Sequence, residues 1–168
     1  MMTHDFPDAD APAIQPFTQA FVGMMFAHAA FEHRVSALMN VITGDDGFGE
    51  RTSLGTADKR PKRMQKLINE HHPDGLPEAD AIVACLKRSI SFCRSRNLLA
   101  HGRWWRFDIE ANAITVRPGV ARSNQGQHPT LTVADIRHVG TSLKDLEVEL
   151  WKRQTAIEAR GPHHQPAV

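Results

Sequence analysis

The sequence IQPFTQAFVGMMFAHAAFEHRVSALMNVITG, residues 14–44, sets the fold class of this chain. Apolar side chains and one histidine recur in it at alternating spacings of three and four residues, the period of one face of an α-helix. The members of this stripe are Ile14, Phe17, Phe21, Met24, His28, Phe31, Val35, Leu38 and Ile42. Because the stripe runs without a break to Gly44, it predicts one long helix that packs against a helical core.

Three further segments have helical periodicity. Asp58 is a suitable N-cap for the second helix, and Pro77 suits the first turn of the third. Gly102 is a suitable stop for the third helix, while Thr132 with Asp135 resembles a capping box for the last. The predicted inner faces are Met64, Leu67 and Ile68 in the second helix, Ile82, Leu86, Ile90 and Cys93 in the third, and Ile136, Val139, Leu143, Leu146 and Leu150 in the last.

Between the third and last helices the period changes to two. Trp105, Phe107 and Ile109 alternate with charged residues, and after a turn at Ala111–Asn112 a second alternating segment follows. This pattern predicts a short β-hairpin, followed by a loop over residues 117–131. The predicted fold class is therefore all-α, or mainly α: a bundle of four to five helices with a short β-hairpin inserted before the last long helix.

Length and composition are those of one ordinary globular domain. The chain has 168 residues, of which 41% are hydrophobic and 23% are charged. We expect a disordered lead-in over residues 1–12, one helical domain over 13–160 and a disordered tail over 161–168. No apolar run approaches the ~20 residues that cross a bilayer, and the acidic N-terminus is unlike a secretory signal, so the cytosol is the expected compartment. Cys85 and Cys93 are expected to be buried free thiols.

Basic residues are concentrated in two regions, although the net charge is only +1. The stretch between Asp80 and Asp108 has no acidic residue. Its basic residues are Lys87, Arg88, Arg94, Arg96, Arg103 and Arg106, and the second cluster comprises Lys59, Arg60, Lys62, Arg63 and Lys66. Each region is either a solvated helix face or a surface that binds phosphates.

The chemically distinctive segment is RNLLAHG, residues 96–102, at the end of the third helix. Continuing the apolar stripe of that helix leads to Asn97 and His101, which predicts two polar groups on a core-facing side. Arg96 lies about 140° round an ideal helix from His101, so the two side chains cannot meet squarely. Three solutions remain open: the helix loosens near Gly102, Arg96 reaches round, or a second subunit completes the site.

These side chains suit phosphoryl transfer on RNA. A histidine near its ordinary pKa can relay the proton of a ribose 2′-hydroxyl or of the leaving group. A guanidinium offers bidentate donors to phosphate oxygens and can stabilise charge in the transition state. An amide can orient the imidazole or hold a phosphate oxygen. This chemistry requires neither a metal nor another cofactor.

Arg96-Asn97-x-x-x-His101 resembles the hallmark of the HEPN superfamily, an Arg and a His separated by four to six residues with a polar residue after the Arg. The resemblance covers the helical body from about Ile14 to Ala159. It implies a helical bundle, a homodimer that brings two motifs together, and metal-independent endoribonuclease activity at Arg96, Asn97 and His101. It also implies a role as a toxin or in phage defence, with an antitoxin protein as partner. Some members of the superfamily are catalytically inert.

Other residues complete the predicted site. His28, with Glu32 four residues later, is either a satisfied core histidine or part of the polar pocket around Asn97 and His101. Arg94, Arg103 and Arg106 are the candidate RNA-binding residues, and Trp104 and Trp105 either pack in the core or dimer interface or stack on bases. His71–His72 and His163–His164 lack a third ligand at a recognised spacing, so no metal site is expected.

Three hypotheses about function follow. The first is a HEPN-like homodimeric ribonuclease that binds RNA. The second is a catalytically silent interaction module in which Arg96, Asn97 and His101 form a structural polar cluster. The third is a nucleotide- or RNA-sensing domain that does not cleave. Cleavage of RNA in EDTA, and its dependence on His101, distinguishes the first from the other two.

Overall fold

The computed structural model of the protein describes residues 12–117 and 128–161, except for the side chains of Trp105 and Arg117. Its elements in chain order are α1 (Gln15–Thr43), α2 (Phe48–Arg51), α3 (Arg60–His71), α4 (Ala79–His101), β1 (Arg103–Asp108), β2 (Ala113–Arg117), β3 (Thr130–Thr132) and α5 (Val133–Glu158). The described part of the chain is thus mainly helical, with four long helices, one short helix and a small sheet, as predicted in outline. The expected disordered ends, apart from Pro12 and Gly161, lie outside the described residues, as does most of the predicted loop.

The long helices α1 and α5 pack side by side in the same direction. Gly140 of α5 lies against Met24 of α1, and a Cβ at Gly140 would sit 3.1 Å from the Met24 Cα. Further along both helices, the Arg34 guanidinium donates to Glu147 Oε1 at 2.8 Å and to Gln154 Oε1 at 3.0 Å. The absence of a side chain at Gly140 therefore permits a close backbone approach.

Helix α4 runs antiparallel to α5 and also contacts α1 and α3. Phe92 near the end of α4 meets His138 near the start of α5, whereas Cys85, earlier in α4, lies 3.5 Å from the Leu146 carbonyl oxygen. Cys85 and Cys93 are buried free thiols, as expected, and burial raises the pKa of Cys85 to about 12. This return path brings the C-terminal half of α4 beside the middle of α1.

The three strands form an antiparallel sheet in the order β1-β2-β3. A bulge between Trp104 and Arg106 shifts the register, so Trp104 and Phe107 both pack on α1, against Phe21 and Phe17 respectively. The predicted β-hairpin is confirmed as β1 and β2, but the bulge inserts a residue that period-two reasoning does not count. Ile109 is 53% exposed in the turn that follows β1.

Several predicted helix ends differ in the structure. Asp58 does not cap α3, whose N-cap is Lys59 without a side-chain bond, because the Asp58 carboxylate pairs instead with Arg94. Helix α4 begins at Ala79, two residues after Pro77.

Two short elements fall where the sequence predicts loop. One is β3, which pairs with β2, and the other is α2. Helix α2 is held by a tertiary contact, in which the Gly49 amide donates to Asn40 Oδ1 at 2.6 Å. A Cβ at Gly49 would lie 2.2 Å from the Ser36 carbonyl oxygen, so this contact needs glycine.

Within the described residues, no helix combines the length and apolar character that crossing a membrane requires.

The capping box at the start of α5 is confirmed and gives a test of the fold. Thr132 Oγ1 accepts from the Asp135 amide at 3.1 Å, and Asp135 Oδ2 accepts from the Thr132 amide at 2.8 Å. The Thr132 hydroxyl also donates to Asp135 Oδ2, at 2.8 Å, and the two bonds that this carboxylate accepts from Thr132 lower the pKa of Asp135. We expect Asp135→Ala to reduce the free energy of unfolding by ~0.5–2 kcal/mol at neutral pH.

The loss should shrink as the pH falls through the lowered pKa of Asp135, since the wild-type carboxylate then also becomes protonated. Urea unfolding at several pH values measures this, with Asp145→Ala, on the exposed side of α5, as the matched control. An equal effect of the two substitutions would contradict the capping role.

Candidate functional site

The candidate site lies at the C-terminal end of α4. This helix continues unbroken to His101, and Gly102 is its C-cap, as predicted, with its amide donating to the Leu98 carbonyl oxygen at 2.8 Å. Gly102 has φ −76° and ψ 159°, so the chain leaves the helix in an extended conformation and enters β1 directly. Trp104 Nε1 then donates to the Leu99 carbonyl oxygen at 2.8 Å and closes the junction.

Asn97 and His101 are exposed, so their predicted place on the buried stripe is wrong. The residues that turn inward near this end are Cys93 and Leu99, both 2% exposed, and in part Arg96. The prediction extended the buried stripe of α4 from Cys93 by two successive steps of four residues, to Asn97 and then to His101. Each such step turns about 40° beyond a full turn, so two of them leave the buried face.

The structure gathers polar side chains from three helices at this point, and we call His28, Glu32, Arg60, Cys93 and Arg96 the polar cluster. His28 Nε2 and Glu32 Oε1 lie 3.2 Å apart, and the same carboxylate oxygen accepts from Arg60 Nη1 at 2.5 Å. Cys93 Sγ and the ligand atoms of His28 and Glu32 lie within 4.8 Å of one another. Arg96 is close enough to affect the pKa values of both His28 and Cys93.

Burial governs the protonation of this cluster. Desolvation lowers the pKa of His28, and the nearby Arg96 and Arg60 lower it further, while Glu32 acts in the opposite direction. Burial also raises the pKa of the Cys93 thiol. At neutral pH the cluster therefore contains a neutral imidazole and a protonated thiol.

Arg96 carries the unbalanced charge of the cluster. Its Nη1 donates to Asn97 Oδ1 at 2.9 Å, but its Nε is buried and, within the described part of the chain, has no hydrogen-bond partner. Glu32, the carboxylate of the cluster, is bound by Arg60. A half-buried guanidinium with a free donor is suited to hold an anionic oxygen.

His28, Glu32 and Cys93 are also residue types that ligate zinc. However, Arg60 already binds the Glu32 carboxylate, and Arg96 adds a second positive charge close to His28 and Cys93. Both charges oppose a divalent cation, so the donor set fits an anion better than a metal ion.

The sequence-predicted residues are partly brought together. Arg96 joins His28 and Glu32, whereas exposed His101 belongs to the rim of the site rather than to the cluster. Sequence reasoning missed Arg60 and Cys93 as members. Cys93 lies on the predicted inner stripe of α4, and His28 lies on that of α1. This shared inward position was a signal in the sequence that the two side chains could meet. Arg60 had no such signal, because it is one of many basic residues in its segment.

The candidate RNA-binding arginines differ in their surroundings. Arg94 forms an ion pair with Asp58, while Arg103 and Arg106 are exposed on β1 just beyond His101. Trp104 packs against Phe21 and Phe107, so its core interpretation is confirmed. Comparison with protein-family models, with curated proteins and with solved structures found no significant match.

The lowered pKa of His28 predicts a pH-dependent stability. The unfolded chain binds a proton at His28 below about pH 6.5, whereas the folded protein takes it up only at lower pH. The free energy of unfolding should therefore decrease as the pH falls below about 6.5, and His28→Gln should remove that part of the decrease. Chemical unfolding across the pH range measures it.

His33→Gln is the matched control, because His33 lies on the same helix and is exposed. If the wild type and His28→Gln gave parallel pH profiles, His28 would not be a buried neutral histidine.

Proposed function

We propose that this protein is a metal-independent endoribonuclease of the HEPN type, acting as a homodimer through Arg96, Asn97 and His101. The observation that carries this proposal is the orientation of Arg96 and His101 at the end of one continuous helix. Arg96 is held inward beside His28, while His101, five residues later, is exposed next to the basic strand β1. The resemblance further implies a cytosolic toxin or phage-defence effector with an antitoxin partner.

The geometry favours a site made from two subunits. Helix α4 does not loosen before His101, and the Arg96 guanidinium is engaged with Asn97 instead of reaching round the helix. Both facts support the third of the solutions that the sequence leaves open, completion of the site by a second subunit. In this arrangement Arg96 of one protomer faces His101 of its partner across the dimer axis.

The chemistry needs only the residues of the chain. The ribose 2′-oxygen forms a bond to phosphorus while the bond from phosphorus to the 5′-oxygen breaks, leaving a 2′,3′-cyclic phosphate and a 5′-hydroxyl. His101 relays the proton between these oxygens. Arg96 stabilises the charge that builds up on the phosphate, and Asn97 fixes the guanidinium. His28 and Glu32 help to position Arg96. Arg103 and Arg106 attract the RNA backbone. Arg94 is not available for this role, because it forms an ion pair with Asp58.

The outer face of α1 supplies an apolar surface for dimerisation. Phe26 is 73% exposed and Val22, one turn earlier, is 44% exposed. Both precede His28 by less than two turns of the same helix. Large exposed apolar side chains grouped on one helix face are typical of an interaction site. We therefore propose that this face of α1 contributes to the dimer interface.

The ribonuclease hypothesis predicts cleavage of RNA in EDTA with 2′,3′-cyclic phosphate ends. His101→Ala should reduce the rate by ~10²–10⁴, the usual contribution of a general acid–base group. Arg96→Lys should also cleave RNA slowly, because an ammonium does not replace the planar guanidinium. A gel-based assay with end-group analysis measures both.

His71→Ala is the matched control for that assay, since His71 is exposed at the far end of α3. Metal-dependent cleavage, or full activity in folded His101→Ala, would refute the mechanism without affecting the fold.

The dimer hypothesis predicts that Phe26→Glu gives a monomer that remains folded but does not cleave RNA. The reason is that a charge on the outer face of α1 cannot be buried without a partner. Light scattering and circular dichroism measure mass and folding. Trp151→Glu, which alters another half-exposed aromatic residue on α5, serves as the control and should leave the dimer intact. An active Phe26→Glu monomer would exclude a site shared between subunits.

A second candidate function is a helical interaction module without catalysis. The exposure of His101 favours it, because none of the hydrogen bonds of the described residues orients this imidazole. The module hypothesis predicts no cleavage by the wild type from the start, and an effect of His101→Ala confined to partner binding or stability.

A further inference from the structure

An open groove runs along the seam between α3 and α4, separate from the polar cluster. Its volume is about 820 Å³ and most of its lining surface is apolar. Pro61, Val83 and Ile90 form the floor, and the aliphatic parts of lysine side chains extend the apolar surface towards the rim. An apolar groove of this size at the surface of a small domain is typical of a binding site.

The rim of the groove is positively charged. Lys62 and Lys66 on α3 and Lys87 on α4 line it. The two carboxylates of the lining are already engaged, Asp58 by Arg94 and Glu70 by Lys66, at 3.4 Å in the second pair. Within the described residues Lys62 and Lys87 have no ion pair, so the rim presents uncompensated cations on both sides of an apolar floor.

The apolar floor and the positively charged rim together limit which kind of molecule can bind in the groove. Two copies of the groove facing each other would bring lysine rims together, and this repulsion opposes a symmetric dimer here. Nucleic acid would use the lysines but leave the apolar floor unfilled, since its backbone offers phosphates and sugars. A helix with one apolar face and acidic flanks satisfies both the floor and the rim.

We propose that the groove between α3 and α4 is a docking site for an acidic amphipathic helix of a partner protein. The groove extends from Pro61 to Asn69 along α3, a length of about 12 Å at the helical rise of 1.5 Å per residue. It therefore receives two turns of the partner helix, with apolar side chains at positions i, i+3 or i+4, and i+7 on the floor. Acidic residues beside them pair with Lys62 and Lys87. This partner site does not depend on the proposed ribonuclease activity.

The probe for the test is a fluorescently labelled peptide of about 16 residues, long enough to form the required turns. It has leucines at the helical spacing given above and glutamates at most other positions. A second peptide of the same composition in scrambled order has no apolar face, and a third has lysines in place of the glutamates. Fluorescence anisotropy with the full-length protein is expected to show binding of the first peptide in preference to the other two, and weaker binding as salt increases.

The double variant Lys62→Glu/Lys87→Glu tests the rim. Both side chains are exposed, so the variant should fold, and it is expected to bind the acidic peptide about tenfold less tightly or worse. Lys144→Glu/Lys152→Glu, on exposed positions of α5, makes the same change in net charge and should bind as the wild type does.

Four binding results would overturn the proposal. They are equal binding of the acidic and scrambled peptides, stronger binding of the lysine peptide, an equal loss in the two double variants, and displacement of the peptide by single-stranded RNA at lower concentration than by unlabelled peptide. A change of oligomeric state in Lys62→Glu/Lys87→Glu would likewise overturn it, in favour of a second copy of this chain.

Discussion

The close approach of α5 to α1 at Gly140 is the contact on which the rest of the arrangement depends. Because the two helices run in the same direction, the chain must return between them, and α4 makes that return antiparallel to α5. The returning helix places Cys93 and Arg96 beside His28 and Glu32 of α1. A Cβ at Gly140 would lie 3.1 Å from the Met24 Cα, so α1 and α5 would have to shift apart by a few tenths of an ångström to accept a side chain there.

The polar cluster holds charged side chains that are partly removed from water, and not all of their hydrogen-bonding groups have partners. Removing a charged group from water costs free energy unless partners replace the lost hydrogen bonds. Glu32 has such partners in Arg60 and His28, whereas the buried Nε of Arg96 has none within the described residues. A buried donor without a partner costs about 1–3 kcal/mol. This imbalance supports the proposal that Arg96 binds a phosphate.

Much of the fold could be predicted from the sequence, since the strong stripes of α1 and α5, the stop at Gly102 and the capping box of Thr132 and Asp135 are local signals. What local patterns could not give are the tertiary effects. The bulge beside Trp104, the short helix α2 and the pairing of Asp58 with Arg94 each depend on residues distant in sequence.

The candidate site, like the fold, could be predicted from the sequence only in part. The motif on α4 could be identified from its residues, because they are consecutive in the sequence. Its orientation could not, because the buried face of α4 near its end is fixed by packing against α1 and by the Trp104 bond to Leu99. The ion pair between Arg60 and Glu32 joins positions 28 residues apart and has no sequence signature.

Subunit mixing tests most directly whether the site is shared between two protomers. Arg96→Ala and His101→Ala are each expected to be inactive as homodimers, but a mixed dimer keeps one site with an intact Arg96 and an intact His101. Random exchange at equal amounts makes half of the dimers mixed, and each mixed dimer has one intact site out of two. A shared site therefore predicts recovery of roughly a quarter of the wild-type rate of RNA cleavage. A mixture that exchanges subunits and remains inactive would contradict the shared site.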